Sequence, residues 1–355
     1  MIFYYSGSSG GGGSLLKYGP EQWTPTCYIM LSFSDLVNRA WQNVDEDRFG
    51  NIMKQRKGKK SVGYVQSHFL ASGAFNLWTT AAKWAEENGK GPYDFYDEPD
   101  FFQYMDDYAA FVKKYQVAID LYANVDAIPN GELTYRNQKY LEEKHGLSPV
   151  PVVHLASGSL KWLKRYIKEG YRFIGLGGLA GKASRDERRK WLDNCFEIVC
   201  DTPDRMPKVK IHGFGITAHP LLLRYPWWSV DSVTWAKVGG FGNILMPRMR
   251  GGKFVFNEAP YLVSMSLESS KVKEADKHYL TMKPAERAVV EKWLEEIGIP
   301  LGKMEGEEVV DFGVLTRHTE RRAANLLYFE KLRAWLPEWP WPYQVTKRTG
   351  FGFVL

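Results

Sequence analysis

Cysteine is scarce: three thiols, Cys27, Cys195 and Cys200, in 355 residues. Three cannot form a paired disulfide framework, and no Cys-x-x-Cys is present. The expectation is reduced thiols in a cytoplasmic protein with no zinc or other metal site. Long hydrophobic runs are missing as well. No stretch approaches the roughly 20 apolar residues of a membrane helix, and Met1-Ile2-Phe3-Tyr4-Tyr5 lacks the basic flank and apolar length of a leader. Neither a membrane partner nor secretion is therefore expected. No internal repeat is visible, and neither sign of charge dominates: 47 basic residues face 41 acidic ones, a net +6.

What charge there is comes in clumps. Basic clusters lie at 54–60, 182–190, 248–253 and 317–333. One such cluster is usually a solvated face; four in one chain point towards a polyanion. With 44% hydrophobic and 25% charged residues, the composition is that of an ordinary globular protein. The length suits a barrel of roughly 250 residues plus an extension.

Eight short β-rich runs follow one another along the chain. They are Ile2–Tyr5, Cys27–Phe33, His68–Leu70, Val117–Tyr122, Pro151–His154, Phe173–Leu176, Val209–His212 and Ser229–Val233. Apolar residues at helical spacing fill Trp78–Asn88, Phe101–Tyr115, Tyr135–His145, Leu160–Glu169 and Arg185–Cys200. Such alternation predicts a parallel sheet with crossover helices, and eight strands favour an α/β fold of the closed (β/α)8 TIM-barrel type over 1–255. The alternation fades after residue 255. The segment 256–355 is read as a C-terminal helical extension packed on the barrel. Its helices are Pro284–Ile297, which caps or closes the barrel, and Thr319–Trp335. The prolines of Pro337–Pro342 end helical structure there and leave its tryptophans to pack on the surface.

Chemistry in a barrel gathers at the C-terminal ends of its strands. Those ends carry Ala71-Ser72-Gly73-Ala74-Phe75, then Asn124-Val125-Asp126, His154, Gly177-Gly178, His212-Gly213-Phe214 and Asp231-Ser232. Each alone has a bland reading: a glycine pair is a tight turn, and a strand-end His or Asp is a structural hydrogen-bonding group. Together they offer carboxylates, a glycine turn and aromatics suited to a flat polar heterocycle. Asp126 and Asp231 alone would also suit a sugar-hydrolysing carboxylate pair, which leaves the aromatics and the glycine turn unused.

Three segments carry a family resemblance. Leu70-Ala71-Ser72-Gly73-Ala74-Phe75, Gly177-Gly178-Leu179 and Tyr225-Pro226-Trp227-Trp228-Ser229-Val230-Asp231-Ser232 resemble the tRNA-guanine transglycosylase (queuine tRNA-ribosyltransferase) superfamily. The likeness is closest to the phage and bacterial DNA-guanine transglycosylases that insert 7-deazaguanines into DNA. It covers about residues 1–255. It implies a pentosyltransferase without a cofactor, working in a cytoplasm (that of the host if phage-encoded). The substrates would be DNA, with tRNA as the alternative, and a 7-deazaguanine base such as 7-cyano-7-deazaguanine. Asp231 would be the covalent nucleophile. Asp126, His154, Ser72 and the Gly177-Gly178 backbone would bind the base, with Phe75 and Phe214 on its two faces. Arg248, Arg250, Lys253, Lys57, Lys59 and Lys60 would hold the nucleic acid.

Two departures qualify the resemblance. Ala71 occupies the position where the family has an aspartate that moves protons, a loss that typically costs about 10²–10⁴ in rate. Three explanations stay open: a substitution that inactivates the enzyme, another proton carrier such as Asp120, or a nucleic-acid binder that has lost catalysis. The zinc-binding cysteine motif of the tRNA enzymes is also missing, which shifts the expected substrate towards DNA.

Overall fold

A computed structural model of the chain describes residues 1–7, 27–36, 65–179, 183–274, 277–306 and 308–344. Its centre is an eight-stranded parallel sheet, and each of the eight sequence runs meets one strand. The strands are β1 (Ile2–Tyr5), β2 (Cys27–Ser32), β3 (Val65–Ala71), β4 (Leu121–Tyr122), β5 (Val152–His154), β6 (Phe173–Gly177), β7 (Lys210–Gly213) and β8 (Ser229–Ser232). They run in the order β4-β3-β2-β1-β8-β7-β6-β5. Regular pairing stops at β4 and at β5. Between those two strands the backbone makes one parallel bridge, Ala123 to Val150. It is held by Asn124 N–H to the Val150 carbonyl (3.0 Å) and Val150 N–H to the Tyr122 carbonyl (2.8 Å).

Besides one turn at Phe33–Leu36, the helices between the strands are α1 (Ala74–Asn88), α2 (Pro99–Tyr115), α3 (Gly131–His145), α4 (Leu160–Lys168), α5 (Arg185–Val199) and α6 (His219–Arg224). Their limits have local causes. The Asn130 side chain accepts from the N–H groups of Glu132 and Leu133 to start α3, and left-handed Gly146 ends it. Ser184 and Glu187 form a capping box at the head of α5. The fourth strand is shorter than expected. Its run begins in the turn that ends α2, where Val117 is 68% exposed, so a β-branched side chain there has no sheet surface to cover.

Apolar residues divide between two clusters. One packs Tyr4, Met30, Phe69, Ala123, Val150 and Val152 with Leu121, Phe173, Phe214 and Trp228, drawing on or beside all eight strands. The larger cluster lies between the sheet and its helices and continues into the C-terminal region.

That region departs from a purely helical extension. After α7 (Thr234–Gly240) come β9 (Asn243–Met246), β10 (Arg248–Arg250), β11 (Lys253–Val255), β12 (Tyr261–Ser264), α8 (Pro284–Ile297), β13 (Lys303–Glu305), β14 (Glu308–Asp311) and α9 (His318–Trp335). Strand β9 pairs antiparallel with β12, so the ladder crosses the boundary expected at residue 255. The helix that lies on the sheet is α9, not the expected Pro284–Ile297. Phe329 stacks on Phe3 with ring centroids 4.5 Å apart, and the Tyr5 hydroxyl donates to Glu330 at 2.6 Å. Asn325 donates to the Trp235 carbonyl and accepts from Leu245 N–H at 2.6 Å. Helix α7 has only seven residues, too few to cover the outside of β8 and β1, and α9 fills that place. Helix α8 packs instead behind α9, with Trp293 against Phe254 and Phe256. The tail crosses to α5, where Tyr343 is buried and its hydroxyl donates to Asp193 (3.0 Å).

Among the described residues, no helix is long and apolar enough to cross a membrane. Cys195 and Cys200 are free and buried.

Candidate functional site

Because the eight strands are parallel, the ends of β3 to β8 bring the candidate groups to one edge of the sheet. Asp231, the third residue of β8, is the most elaborately held. It is 8% exposed. Its Oδ1 accepts from Gly215 N–H at 2.9 Å and from His212 Nε2 at 3.3 Å, and its Oδ2 accepts from the Ser6 hydroxyl at 2.6 Å. Each of these three bonds offsets part of the hydration that a buried carboxylate loses.

The donors are themselves fixed. Ser6 follows β1 directly; its N–H reaches the Ser232 carbonyl (3.0 Å), and its own carbonyl accepts from Trp235 Nε1 (2.9 Å). His212 is fully buried, and β7–β8 register sets it opposite Ser229, whose Oγ lies 2.8 Å from Nδ1. Burial lowers the His212 pKa, against the opposing pull of Asp231. The imidazole is therefore neutral at neutral pH. An Nε2 beside a carboxylate must carry the proton, which leaves Nδ1 to accept from Ser229.

A second buried pair stands at the ends of β4 and β5. Asp126 Oδ2 lies 2.6 Å from His154 Nε2, and the two residues are 6% and 4% exposed. The loop carrying Asp126 is pinned by buried polar side chains. Thr134 Oγ1 accepts from Ala127 N–H, Asn137 donates to the Val125 carbonyl, and Asn124 donates to the Thr134 carbonyl. Gly177 makes room for His154: a Cβ there would come within 2.9 Å of the ring's Cδ2. Gly178 has φ +74, a conformation that glycine adopts without strain. The Gly177 carbonyl accepts from Leu155 N–H (3.1 Å), so this carbonyl is already engaged within the fold.

The expected aromatic sandwich is divided between two settings. Phe75, at the start of α1, is 67% exposed, and its ring neighbour is Trp78 (5.9 Å). Phe214 packs inwards, edge-on to His212 (4.4 Å) and beside Phe69 (5.9 Å), over Gly175, where an added Cβ would meet its ring at 2.5 Å. Ser72 is buried, and its carbonyl accepts from the Tyr104 hydroxyl. Ala71 ends β3 opposite Ser32. Asp120 lies elsewhere. Its carboxylate accepts from His68 N–H and its N–H donates to the His68 carbonyl, three residues before Ala71 along β3. That is about 10 Å lower at roughly 3.3 Å per residue, so Asp120 does not reach the strand end where Ala71 stands.

The basic clusters fare unequally. Arg248, Arg250 and Lys253 share the β10–β11 hairpin, with Arg250 opposite Lys253. Arg250 already holds Glu258 with two hydrogen bonds (2.8 and 2.6 Å), and Arg248 stacks over Tyr261 at 3.5 Å. In the 317–333 cluster, Arg321 is buried and bonds the carbonyls of Gly239 and Val314, so that part serves the fold. Lys57, Lys59, Lys60 and Lys182 lie outside the described residues. Away from the strand ends, a shallow groove of about 900 Å³ runs along α3 and α4, lined by Tyr135, Trp162, Arg136, Lys139 and Arg165. Its cations are paired with Asp97, Glu142 and Glu169. Among the described residues, no group of three or more His, Cys, Asp or Glu is arranged to hold a metal ion.

No protein-family model matches the chain, and no curated protein matches it. The likeness to guanine transglycosylases rests on the three segments alone. The sequence reading missed Ser6, Gly215 and Ser229 and gave His212 no role. Ser6, His212 and Gly215 reach Asp231 only once the strands are paired, and Ser229 acts on it through His212.

Proposed function

We propose that this chain is a guanine base-exchange transglycosylase acting on nucleic acid, DNA ahead of tRNA, on a closed (β/α)8 barrel. The observation that carries the reading is the pairing of two buried acidic sites at one edge of the sheet. One is an Asp231 carboxylate held by three donors, and the other is the Asp126–His154 pair over Gly177. Barrel closure is supported by the Ala123–Val150 bridge and by the inner cluster drawn from or beside all eight strands.

In the proposed reaction, an Asp231 oxygen forms a bond to C1′ of the target nucleotide. The C1′–N9 bond breaks, its electron pair leaves with guanine, and N9 takes up a proton from water, position 71 being alanine. A 7-deazaguanine then gives its N9 proton to water, attacks C1′ and releases Asp231. Splitting one displacement into two keeps the configuration at C1′ and lowers each barrier. Asp126 and His154 would hydrogen-bond the polar edge of the base, and Gly178 would let the backbone approach it. Extrusion of the nucleotide costs about a few kcal/mol. Stacking on exposed Phe75 and Trp78 would offset it at roughly 1–3 kcal/mol per base.

Ala71 favours a second reading, a nucleic-acid binder without catalysis. Labelled 7-cyano-7-deazaguanine, duplex DNA and tRNA, tested with the chain and its Ala71→Asp version, separate the two. Exchange into DNA supports the transglycosylase, and exchange into tRNA alone moves the substrate to RNA. Salt-sensitive binding with no exchange by either version leaves the binder.

A further inference from the structure

Asp231 is held asymmetrically. Two N–H donors from the β7 end, Gly215 and His212, converge on Oδ1, whereas Oδ2 has the rotatable hydroxyl of Ser6. His212 is in turn oriented by Ser229 and walled in by the rings of Tyr4, Phe69 and Phe214. We propose that His212, oriented by Ser229, is the positioning residue of Asp231, fixing Oδ1 as acceptor so that Oδ2 forms the bond to the sugar. The proposal rests on the transglycosylase reading for its chemistry and on the hydrogen-bond chain for its geometry.

The asymmetry has a chemical use in both half-reactions. When Oδ2 bonds C1′, Oδ1 becomes the ester carbonyl oxygen and keeps its two N–H donors. When the incoming base displaces the carboxylate, negative charge returns to both oxygens, and the donors on Oδ1 are already in place to receive it. Such preorganised donors act without reorganisation in the transition state. Ser229 matters because it fixes the tautomer. Without a hydroxyl donating to Nδ1, the imidazole can move its proton there and turn a lone pair towards the carboxylate. The alanine at position 71 is a separate matter, since the hydrogen bonds of His212 go to Asp231 and Ser229.

Two measurements on the full chain test this. Imidazole ¹⁵N spectra should show His212 at neutral pH as the Nε2–H tautomer, with its Nε2 signal displaced in Asp231→Asn and the tautomer mixed in Ser229→Ala. Base exchange by the chain, or by its Ala71→Asp version, should lose about 10- to 100-fold in kcat in His212→Phe, an estimate at or below the usual cost of one such donor. KM for the nucleic acid should hold, and His212→Gln, which keeps an N–H donor, should recover part of the loss. A Nδ1–H or imidazolium form of His212, or an unchanged kcat in a folded His212→Phe, would overturn the proposal. Absence of exchange in both parent versions sinks the transglycosylase reading instead, and the spectra then decide the role of His212 alone.

Discussion

Replacing Gly177 by alanine adds one methyl group to the end of β6, and the structure fixes what that methyl meets. Its carbon would sit 2.9 Å from His154 Cδ2, 3.1 Å from Nε2 and 3.4 Å from a methyl of Val152. The first contact is about half an ångström inside the normal separation of about 3.5 Å between carbons. The ring cannot give way cheaply, because its Nε2 is bonded to Asp126 at 2.6 Å and both residues are buried. Turning it aside forfeits a hydrogen bond to a charged group, about 1.5–3 kcal/mol. Against this, alanine restricts the unfolded chain and returns about 0.4–1 kcal/mol. The net expectation is a loss of roughly 1–2 kcal/mol, read as a lower urea midpoint at unchanged slope. Gly91→Ala is the control: its added carbon meets nothing closer than 3.4 Å, so it should be neutral or slightly stabilising. If the pair also reads a base, base affinity in Gly177→Ala should fall at least about tenfold, the equivalent of about 1.4 kcal/mol. Equal urea midpoints for Gly177→Ala and the parent would refute the reasoning, because the His154–Asp126 bond would then be contributing nothing.

Other expectations follow from the same geometry. Truncating Phe329 to alanine removes a ring stacked on Phe3 and should cost about 3–5 kcal/mol by urea unfolding; a loss under 1 kcal/mol would mean that α9 is dispensable to the sheet. Burial lowers the pKa of His212 and of His219, with Asp231 and the Phe256 carbonyl opposing it respectively. Both are neutral when folded and take up protons on unfolding below the usual imidazole value of about 6.5. Stability should therefore decline as pH falls from about 6.5 towards their depressed folded values, and His219→Gln should flatten part of that decline. In duplex DNA binding, Lys253→Ala should reduce the slope of log K against log salt by about 0.9. Glu258→Gln, which frees Arg250 from its ion pair, should steepen it; no change in either variant would remove the β10–β11 hairpin from the interface.

The strands of the sheet were legible because each is a short apolar run bounded by turn residues. Strand β4 was legible only in part, since the residues before Leu121 belong to the turn after α2. The antiparallel pairs beyond residue 240 were not legible. Strand β9 finds its partner β12 across a hairpin and an irregular stretch, and four-residue strands without long alternation leave no periodic trace. At the site, Asp231, Asp126 and His154 stood out as polar residues closing apolar runs. Ser6 did not, because its partner lies 225 positions along the chain. In the tail, Trp339 and Trp341 are half-buried, in line with surface packing, whereas Tyr343 just beyond them is buried against Tyr225 and Phe196, which its composition did not signal.

The cover that α9 provides for β1 also bears on how the protein can be made. Phe3 and Phe329, and likewise Tyr5 and Glu330, are partners more than 320 positions apart, so β1 keeps an uncovered face during synthesis until α9 has emerged. Contacts of such sequence separation close late and slowly, and a half-covered sheet is prone to self-association in the interval. Residues 1–255 produced alone would hold that state permanently. The piece of the chain that carries all eight strands and Asp231 is therefore not one that can be cut free and studied by itself.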